Sequence, residues 1–164
     1  IYEGTTAIQA NDLVGRKTAR DGGQTAKAIA AQVEATEAEL IAQGGANAAA
    51  VADLLKAARL AFIDVVEFIV ANGRSNPNAA FAGSVPYLML AGNLMAGWQL
   101  ARALLVAEAA LASGDCGDFG PAFMQAKITT ARFYADHILT RAPGVRDAIV
   151  DGAGSVTELP LEAF

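Results

Sequence analysis

The sequence predicts an all-α fold, an up-and-down bundle of about four long helices. Apolar residues recur at helical spacing in nearly every segment, and Gly or Pro interrupts that spacing between segments. No segment of convincing length alternates apolar and polar residues as a half-buried strand would. The composition agrees with this prediction, because 54% of the 164 residues are hydrophobic and only 7% are aromatic. Small aliphatic side chains allow helix axes to approach closely.

The first two helices have recognisable start and stop signals. Thr6 and Gln9 have the spacing of a capping box, which predicts a helix that runs to about Arg20 and ends at residues 21–23. A second helix is predicted from about Thr25 to Gln43, where a pair of glycines stops it. Its apolar residues are Ile29, Val33, Leu40 and Ile41.

The third helix is predicted from about Asn47 to Asn72, a length of about seven turns. Charged residues, Arg59 among them, lie between the members of its apolar stripe. That stripe consists of Val51, Leu54, Ala58, Phe62, Val65 and Ile69. Residues 73–86 are rich in Gly, Pro and Asn and are predicted to form a connection.

The segment from Tyr87 to about Ser113 is predicted to be the most buried helix, because no charged residue occurs from Ser75 to Ala101. About 20 apolar residues suffice to cross a bilayer, so a transmembrane span is the alternative. Asn93 and Gln99 interrupt the run, and the other helices are amphipathic. We therefore expect a central helix of the bundle and no membrane span.

The C-terminal part is predicted to hold one more long helix and an apolar tail. After a loop over residues 114–120, a helix from about Pro121 to Arg141 is broken by Pro143, and a short helix follows around residues 145–150. The long helix presents Phe123, Ala126, Thr130, Phe133 and His137 along one side. The apolar residues of the tail are expected to pack down, namely Leu159, Leu161 and Phe164.

Charge and composition exclude several classes of function. The net charge is −5 and no Lys/Arg run occurs, which argues against binding to nucleic acid or to an anionic membrane surface. Cys116 is the only cysteine, so no internal disulfide can form and a cytoplasmic location fits. His137 is the only histidine, and Tyr134 stands three residues before it, so the paired Glu-x-x-His spacing of a di-iron site is missing. We expect no metal site.

The opening of the chain is the one segment that points to chemistry. Glu3 stands just before the first predicted helix, where the helix dipole stabilises a carboxylate and free backbone N–H groups can hold an anion. A base beside a phosphate site would result. An acidic residue at a helix start also has a purely structural explanation. The chain begins without Met, and we expect it to be a piece of a longer protein.

The opening segment IYEGTTAIQANDLVGRK resembles the segment of acyl-CoA dehydrogenases that carries the catalytic glutamate. The matching positions are Tyr2, Glu3, Gly4, Thr5, Ile8, Gln9 and Arg16. Residues 23–164 resemble the extra C-terminal helical domain of the 3-methylmercaptopropionyl-CoA dehydrogenase-like branch, and the closing SVTELPLEAF is similar to the ending of that branch. The resemblance implies a remnant of the dehydrogenase helical domain in residues 1–22, whose terminal helix precedes the extension domain of residues 23–164.

The resemblance also implies roles for single residues. Glu3 would be the general base that removes the α-proton of an acyl-CoA thioester, while a hydride passes from the β-carbon to FAD. Tyr2 would line the acyl-CoA pocket, and Gly4 would allow the tight turn. Thr5 falls where the family contacts FAD, as does Ala7, although some relatives carry Gln at that position. Arg16 is expected to pair with a neighbouring carboxylate.

The implied function is therefore that of an FAD-dependent acyl-CoA dehydrogenase, whose partners are an acyl-CoA and an electron-transfer acceptor. The parent enzyme is expected to be a homo-oligomer, and the isolated chain is expected to be inactive and to bind no FAD. Two alternatives remain open. The helical domain could be an assembly module without chemistry of its own, or the chain could be a free-standing helical ligand-binding protein.

Overall fold

A computed structural model describes residues 5–163 of the chain, and within this range it is helical and contains no strand. The all-α prediction is therefore confirmed. Helix α1 continues directly into a π-helical segment, and short 3₁₀ turns follow α5, α6 and α7. The helices are α1 (Thr6–Asp12, then the π-helical segment Leu13–Ala19), α2 (Gln24–Gln43), α3 (Ala46–Asn72), α4 (Pro77–Ala82), α5 (Ser84–Ser113), α6 (Gly120–His137) and α7 (Ala142–Val150).

The first two long helices are antiparallel, as two ion pairs between them show. Lys27 near the start of α2 contacts Glu67 near the end of α3, and Glu37 in the second half of α2 contacts Arg59 in the middle of α3. Residue numbers therefore rise along one helix as they fall along the other. Gly44 and Gly45 connect the two helices in a short turn.

The second pair of long helices continues the up-and-down order. The ring of Phe62 on α3 stacks on that of Tyr87 at the start of α5, with 5.9 Å between the centroids. The short connection between α5 and α6 brings α6 back along α5, and the Tyr134 hydroxyl donates to the backbone carbonyl of Asn93 at 3.4 Å. The described residues thus form a bundle of four long helices, with α7 packed on α3.

Helix α3 is the centre of the bundle. It packs against α2, α5, α6 and α7, and 11 of its 27 residues are buried. Only 8 of the 30 residues of α5 are buried, so the prediction that this segment is the most buried helix is wrong. Its uncharged run contains small residues such as Gly92 and Ala96, which can stay exposed at little cost in apolar surface.

Helix α5 is also the one described helix that is long and apolar enough to cross a membrane, judged by length and composition. Of its most apolar 18-residue window, 28% is buried inside the bundle. The buried residues face α3 and its neighbours and include Leu90, Leu94, Ala101 and Leu104. The helix therefore has one face in the core and another that the described residues leave uncovered.

The start of α1 differs from the sequence prediction. Thr5, not Thr6, is the N-cap residue, and its side chain makes no capping hydrogen bond, so the predicted capping box is wrong. The C-terminal stop is as predicted. The π-helical segment ends at Ala19, and a turn over residues 20–23 leads to Gly23, the N-cap of α2, which has φ +75° and donates its backbone N–H to the Asp21 carboxylate at 2.9 Å. Glycine adopts this conformation without the steric penalty of a side chain.

The connection predicted over residues 73–86 contains helix α4 and the first turn of α5. Asn76 caps α4 by accepting the backbone N–H of Ala79 at 3.3 Å, and Pro77 occupies the first turn. A segment rich in Gly, Pro and Asn predicts a connection, but a cap residue followed by proline is equally a helix start. Helix α7 likewise has a proline, Pro143, in its first turn, although its N-cap residue Arg141 makes no capping hydrogen bond.

Several predicted apolar residues are not in the core. Ile41 of α2 is exposed, and Leu159 in the tail is 58% exposed, so the prediction that Leu159 packs down is wrong. The side chain of Leu161 and the whole of Phe164 lie outside the described part of the chain. The predicted side of α6 is its exposed one, whereas its buried residues are Ile128, Ala131 and Ala135.

Candidate functional site

The predicted catalytic turn lies at the edge of the described structure. Tyr2, Glu3 and Gly4 lie outside the described residues, whereas Thr5 and Ala7 are exposed at the start of α1. The carbonyl of Thr5 accepts the first hydrogen bond of the helix, from the Gln9 N–H at 2.8 Å. Backbone N–H groups in the first turn of an α-helix have no partner within the helix. The N–H groups at the start of α1 therefore have no acceptor within the described helix.

Helix α1 and its π-helical segment are fixed to the bundle by one stripe of buried side chains. Ala10, Val14 and Thr18 follow one another at a spacing of four residues, and each is at most 2% exposed. The hydroxyls of Thr18 and Tyr87 share a buried hydrogen bond of 2.9 Å. Tyr87 is itself 1% exposed, and burial raises the pKa of its phenol. A specific polar contact thus joins the helix to α5.

The outer side of this helix carries an ion cluster. Arg16 contacts the Asp12 carboxylate through its guanidinium, and Lys17 contacts the same carboxylate at 3.3 Å. The hydrogen bond from Arg16 lowers the pKa of Asp12. The expectation that Arg16 pairs with a neighbouring carboxylate is confirmed. Such exposed pairs contribute little to stability.

An apolar pocket of about 270 Å³ lies between this helix and the bundle. Helices α2, α3 and α5 supply most of its walls, with Lys17 and Thr25 as its polar members. The apolar lining residues are Leu13, Ala26, Ile29, Phe62, Tyr87, Ala91 and Met95. Among the described residues that line this pocket, none is a carboxylate or a histidine that could act as a base.

A larger, open cleft of about 620 Å³ crosses the outer surface of α5 towards the start of α6. Its lining includes Phe119, Phe123 and Val106, together with the charged side chains of Arg102 and Lys127. The Lys127 ammonium lies 4.7 Å from the centre of the Phe123 ring, a cation–π contact. Among the described residues, no group of three His, Cys, Asp or Glu side chains lies close enough together to hold a metal ion.

Two buried polar contacts of the bundle were not predicted from the sequence. One is the Thr18–Tyr87 hydrogen bond, and the other is the bidentate pair in which the Arg59 guanidinium donates to both oxygens of Glu37 at 2.8 Å. For each contact, the spacing of one member from a buried valine indicates that its polar side chain lies on an apolar helix face. Glu37 stands four residues after buried Val33, and Thr18 four residues after buried Val14, so both lie on apolar faces.

Comparison with known proteins identifies the family of this fold. The family model described as acetyl-CoA dehydrogenase C-terminal like matches residues 25–160. The chain is 50% identical to the 3-methylmercaptopropionyl-CoA dehydrogenase of Ruegeria pomeroyi over 161 residues. The matched segment covers 98% of this chain and 26% of that protein.

Two more distant relatives cover the whole chain. The broad-specificity linear acyl-CoA dehydrogenase FadE5 of Mycobacterium tuberculosis is 32% identical over 176 residues, which are 27% of its length. The butyryl-CoA dehydrogenase of Syntrophomonas wolfei is 31% identical over 169 residues, 26% of its length. The chain thus spans about a quarter of each of these relatives. It belongs to the family of acyl-CoA dehydrogenase C-terminal domains.

Proposed function

We propose that this chain is the C-terminal part of an FAD-dependent acyl-CoA dehydrogenase. Residues 1–22 would complete the dehydrogenase helical domain, and residues 23–164 would form its C-terminal extension. The observation that carries the proposal is that three relatives, 31–50% identical over at least 98% of the chain, all bear the names of acyl-CoA dehydrogenases. The name of the most similar of these three makes 3-methylmercaptopropionyl-CoA the first substrate to test.

Glu3 would act as the general base that removes the α-proton of the acyl thioester. This proton is far too weakly acidic for a carboxylate in water, so the site must exclude water and stabilise the negative charge that develops on the thioester oxygen. The backbone N–H of Glu3 would be one donor to that oxygen. Tyr2 would line the acyl-CoA pocket, and Gly4 would allow the chain to turn into α1.

The start of α1 fits a contact with FAD. The exposed Thr5 side chain makes no hydrogen bond to its own helix, so its hydroxyl is available to the cofactor. Ala7 has no polar side chain, but its backbone N–H lies in the first helical turn, where anionic groups are favourably bound. When bound, FAD would accept the hydride that leaves the β-carbon.

The helical extension would hold the catalytic turn in place. Glu3 lies two residues before the N-cap of α1, and α1 is anchored through Val14 and the Thr18–Tyr87 hydrogen bond. A small displacement of a catalytic group costs a large factor in rate, so the anchor matters for the chemistry. A homo-oligomeric, cytoplasmic parent that passes electrons to a separate acceptor is part of the same proposal.

The alternative function, an assembly module without chemistry, is favoured by the uncovered face of α5. Its exposed residues include Val85, Met89 and Val106. The two functions are compatible, because one domain can position α1 on one side and bind the rest of the protein on another.

The test is a substrate titration of the purified full-length protein that carries this chain. The protein should retain flavin through purification, and acyl-CoA added without oxygen should bleach the flavin and yield the enoyl-CoA, two hydrogens lighter by mass spectrometry. 3-Methylmercaptopropionyl-CoA and butyryl-CoA are the first substrates, and free CoA is the control. The proposal would be contradicted if the full-length protein held no flavin, or if no acyl-CoA bleached the flavin that it holds.

A further inference from the structure

One long face of α5 is uncharged and uncovered by the described residues. Eight residues at alternating spacings of four and three follow one another along this side of the helix, which we name the outer stripe. Six of them are exposed, and Ala103 and Ala110 are half-buried. The outer stripe consists of Val85, Met89, Gly92, Ala96, Gln99, Ala103, Val106 and Ala110.

The outer stripe is part of a larger apolar surface. Towards the C-terminal end of α5, Val106 lines the open cleft with Phe119 and Phe123. Val106 and Phe119 are each 67% exposed. The rings of Phe119 and Phe123 stack with 4.7 Å between their centroids. From Val85 to Ala110 the stripe is about 38 Å long at 1.5 Å per residue. An exposed apolar surface of this extent marks an interaction site.

The shape of the outer stripe fits another helix. A spacing of four and three is that of a helix–helix seam, and it places Ala96, Ala103 and Ala110 at equivalent positions. Small side chains there, together with Gly92, allow a second helix to approach closely. Because the stripe itself carries no charge, its partner must offer an apolar face.

The position of α1 indicates where that partner comes from. Thr18 contacts Tyr87 near the start of α5, and Leu13 lines the same pocket as Met95, so α1 runs antiparallel to α5. Thr5 stands eight residues before Leu13, so α1, which packs on α5, begins beyond the level of Met95 in the direction of the C-terminal end of α5. In relatives of which this chain spans 26–27%, roughly three quarters of the polypeptide remains to be packed.

We propose that the outer stripe of α5 packs against a helix of the dehydrogenase body, the part of the longer protein that precedes this chain. The proposal rests on the proposed function for the identity of that body. The described part of α1 begins against α5, so the polypeptide that precedes this chain joins it beside the helix that carries the stripe. A lipid bilayer is a poor partner for the outer stripe, because Arg102, Lys127 and Glu39 line the cleft near the C-terminal end of α5 and their charges would have to leave water.

The test measures the reactivity of single cysteines in the full-length flavoprotein. Ala96→Cys and Gln99→Cys lie on the outer stripe, and Ala35→Cys, an exposed position on the outer side of α2, is the matched control. Each variant is treated with a maleimide, and the labelled peptide is followed by mass spectrometry. We expect the stripe cysteines to react at least about tenfold more slowly than the control, because labelling then requires local opening of the interface.

The named outcomes separate the possible occupants. Equal rates at stripe and control positions would overturn the proposal. Protection that disappears when the oligomer is diluted to monomers would assign the stripe to a second copy, and protection that needs added phospholipid vesicles would assign it to a membrane. If Ala96→Cys disturbs the fold, Gln99→Cys, with its longer native side chain, gives the same answer. Labelling does not depend on turnover, so a protein that fails the substrate titration can still show the packing.

Discussion

The hydrogen bond between Thr18 and Tyr87 is the most specific link between the bundle and the helix that follows Glu3. Tyr87→Phe removes the phenol hydroxyl and leaves the hydroxyl of Thr18, a residue that is 2% exposed, without its partner. An unsatisfied buried hydroxyl costs about 1–3 kcal/mol. Thr18→Val leaves the phenol unsatisfied in turn and should cost a similar amount. The double variant removes both hydroxyls, and replacing both partners by apolar groups of the same shape is close to neutral.

The double-mutant cycle should therefore show strong coupling. We expect each single variant to lose roughly 1–3 kcal/mol and the double variant to lose clearly less than the sum. Urea unfolding of the 164-residue chain measures these differences, and a loss of 2 kcal/mol lowers the midpoint by about 1 M if the slope is about 2 kcal/mol per M. Additive single effects would refute the reasoning, because they would mean that the two hydroxyls do not depend on each other.

Three further predictions concern the stability of the same domain. Burial raises the pKa of Tyr87, so the contribution of its phenol to stability is fully present below the ordinary pKa of 10.0 and is lost as the pH rises through the higher folded value. Urea unfolding measured from pH 8 upwards should therefore show a loss of unfolding free energy at alkaline pH, and Tyr87→Phe should reduce that loss. Arg59→Met leaves the buried Glu37 carboxylate unpaired and should cost about 3–5 kcal/mol, and adding Glu37→Leu should restore most of it, as measured by the urea midpoint. Gly23→Ala should destabilise more than Gly22→Ala by roughly 1–3 kcal/mol, since both have positive φ but only at Gly23 would the new Cβ lie 2.6 Å from a valine methyl of α3; equal thermal shifts would contradict this.

The helices could be predicted from the sequence because their signals are local. The spacing of apolar residues and the glycines around residues 22–23 and 44–45 place the boundaries of α2 within a residue. Which face of each helix is buried could not be predicted, because burial depends on the other helices that pack against it. Ile41 has the spacing of a core residue but faces solvent, and the absence of charge in α5 predicts the most buried helix, whereas a larger share of α3 is buried.

The candidate site shows the same division. The role proposed for Glu3 comes from a resemblance, since a dependence on substrate and cofactor is not encoded in any local pattern. The hydrogen bond that fixes α1 to α5 joins Thr18 to Tyr87, which are 69 positions apart in sequence. A threonine on an apolar helix face and a tyrosine in an apolar run do not indicate one another until the fold places them together.

The most direct test of the central claim is the rate of flavin bleaching in a Glu3→Gln variant of the full-length protein. The amide preserves the shape of the side chain and removes the base. After anaerobic mixing with saturating acyl-CoA, the account predicts that the variant retains its flavin and bleaches about 10²- to 10⁴-fold more slowly than the parent. Bleaching at nearly the parent rate would contradict the account, because the base would then have to be a carboxylate outside this chain.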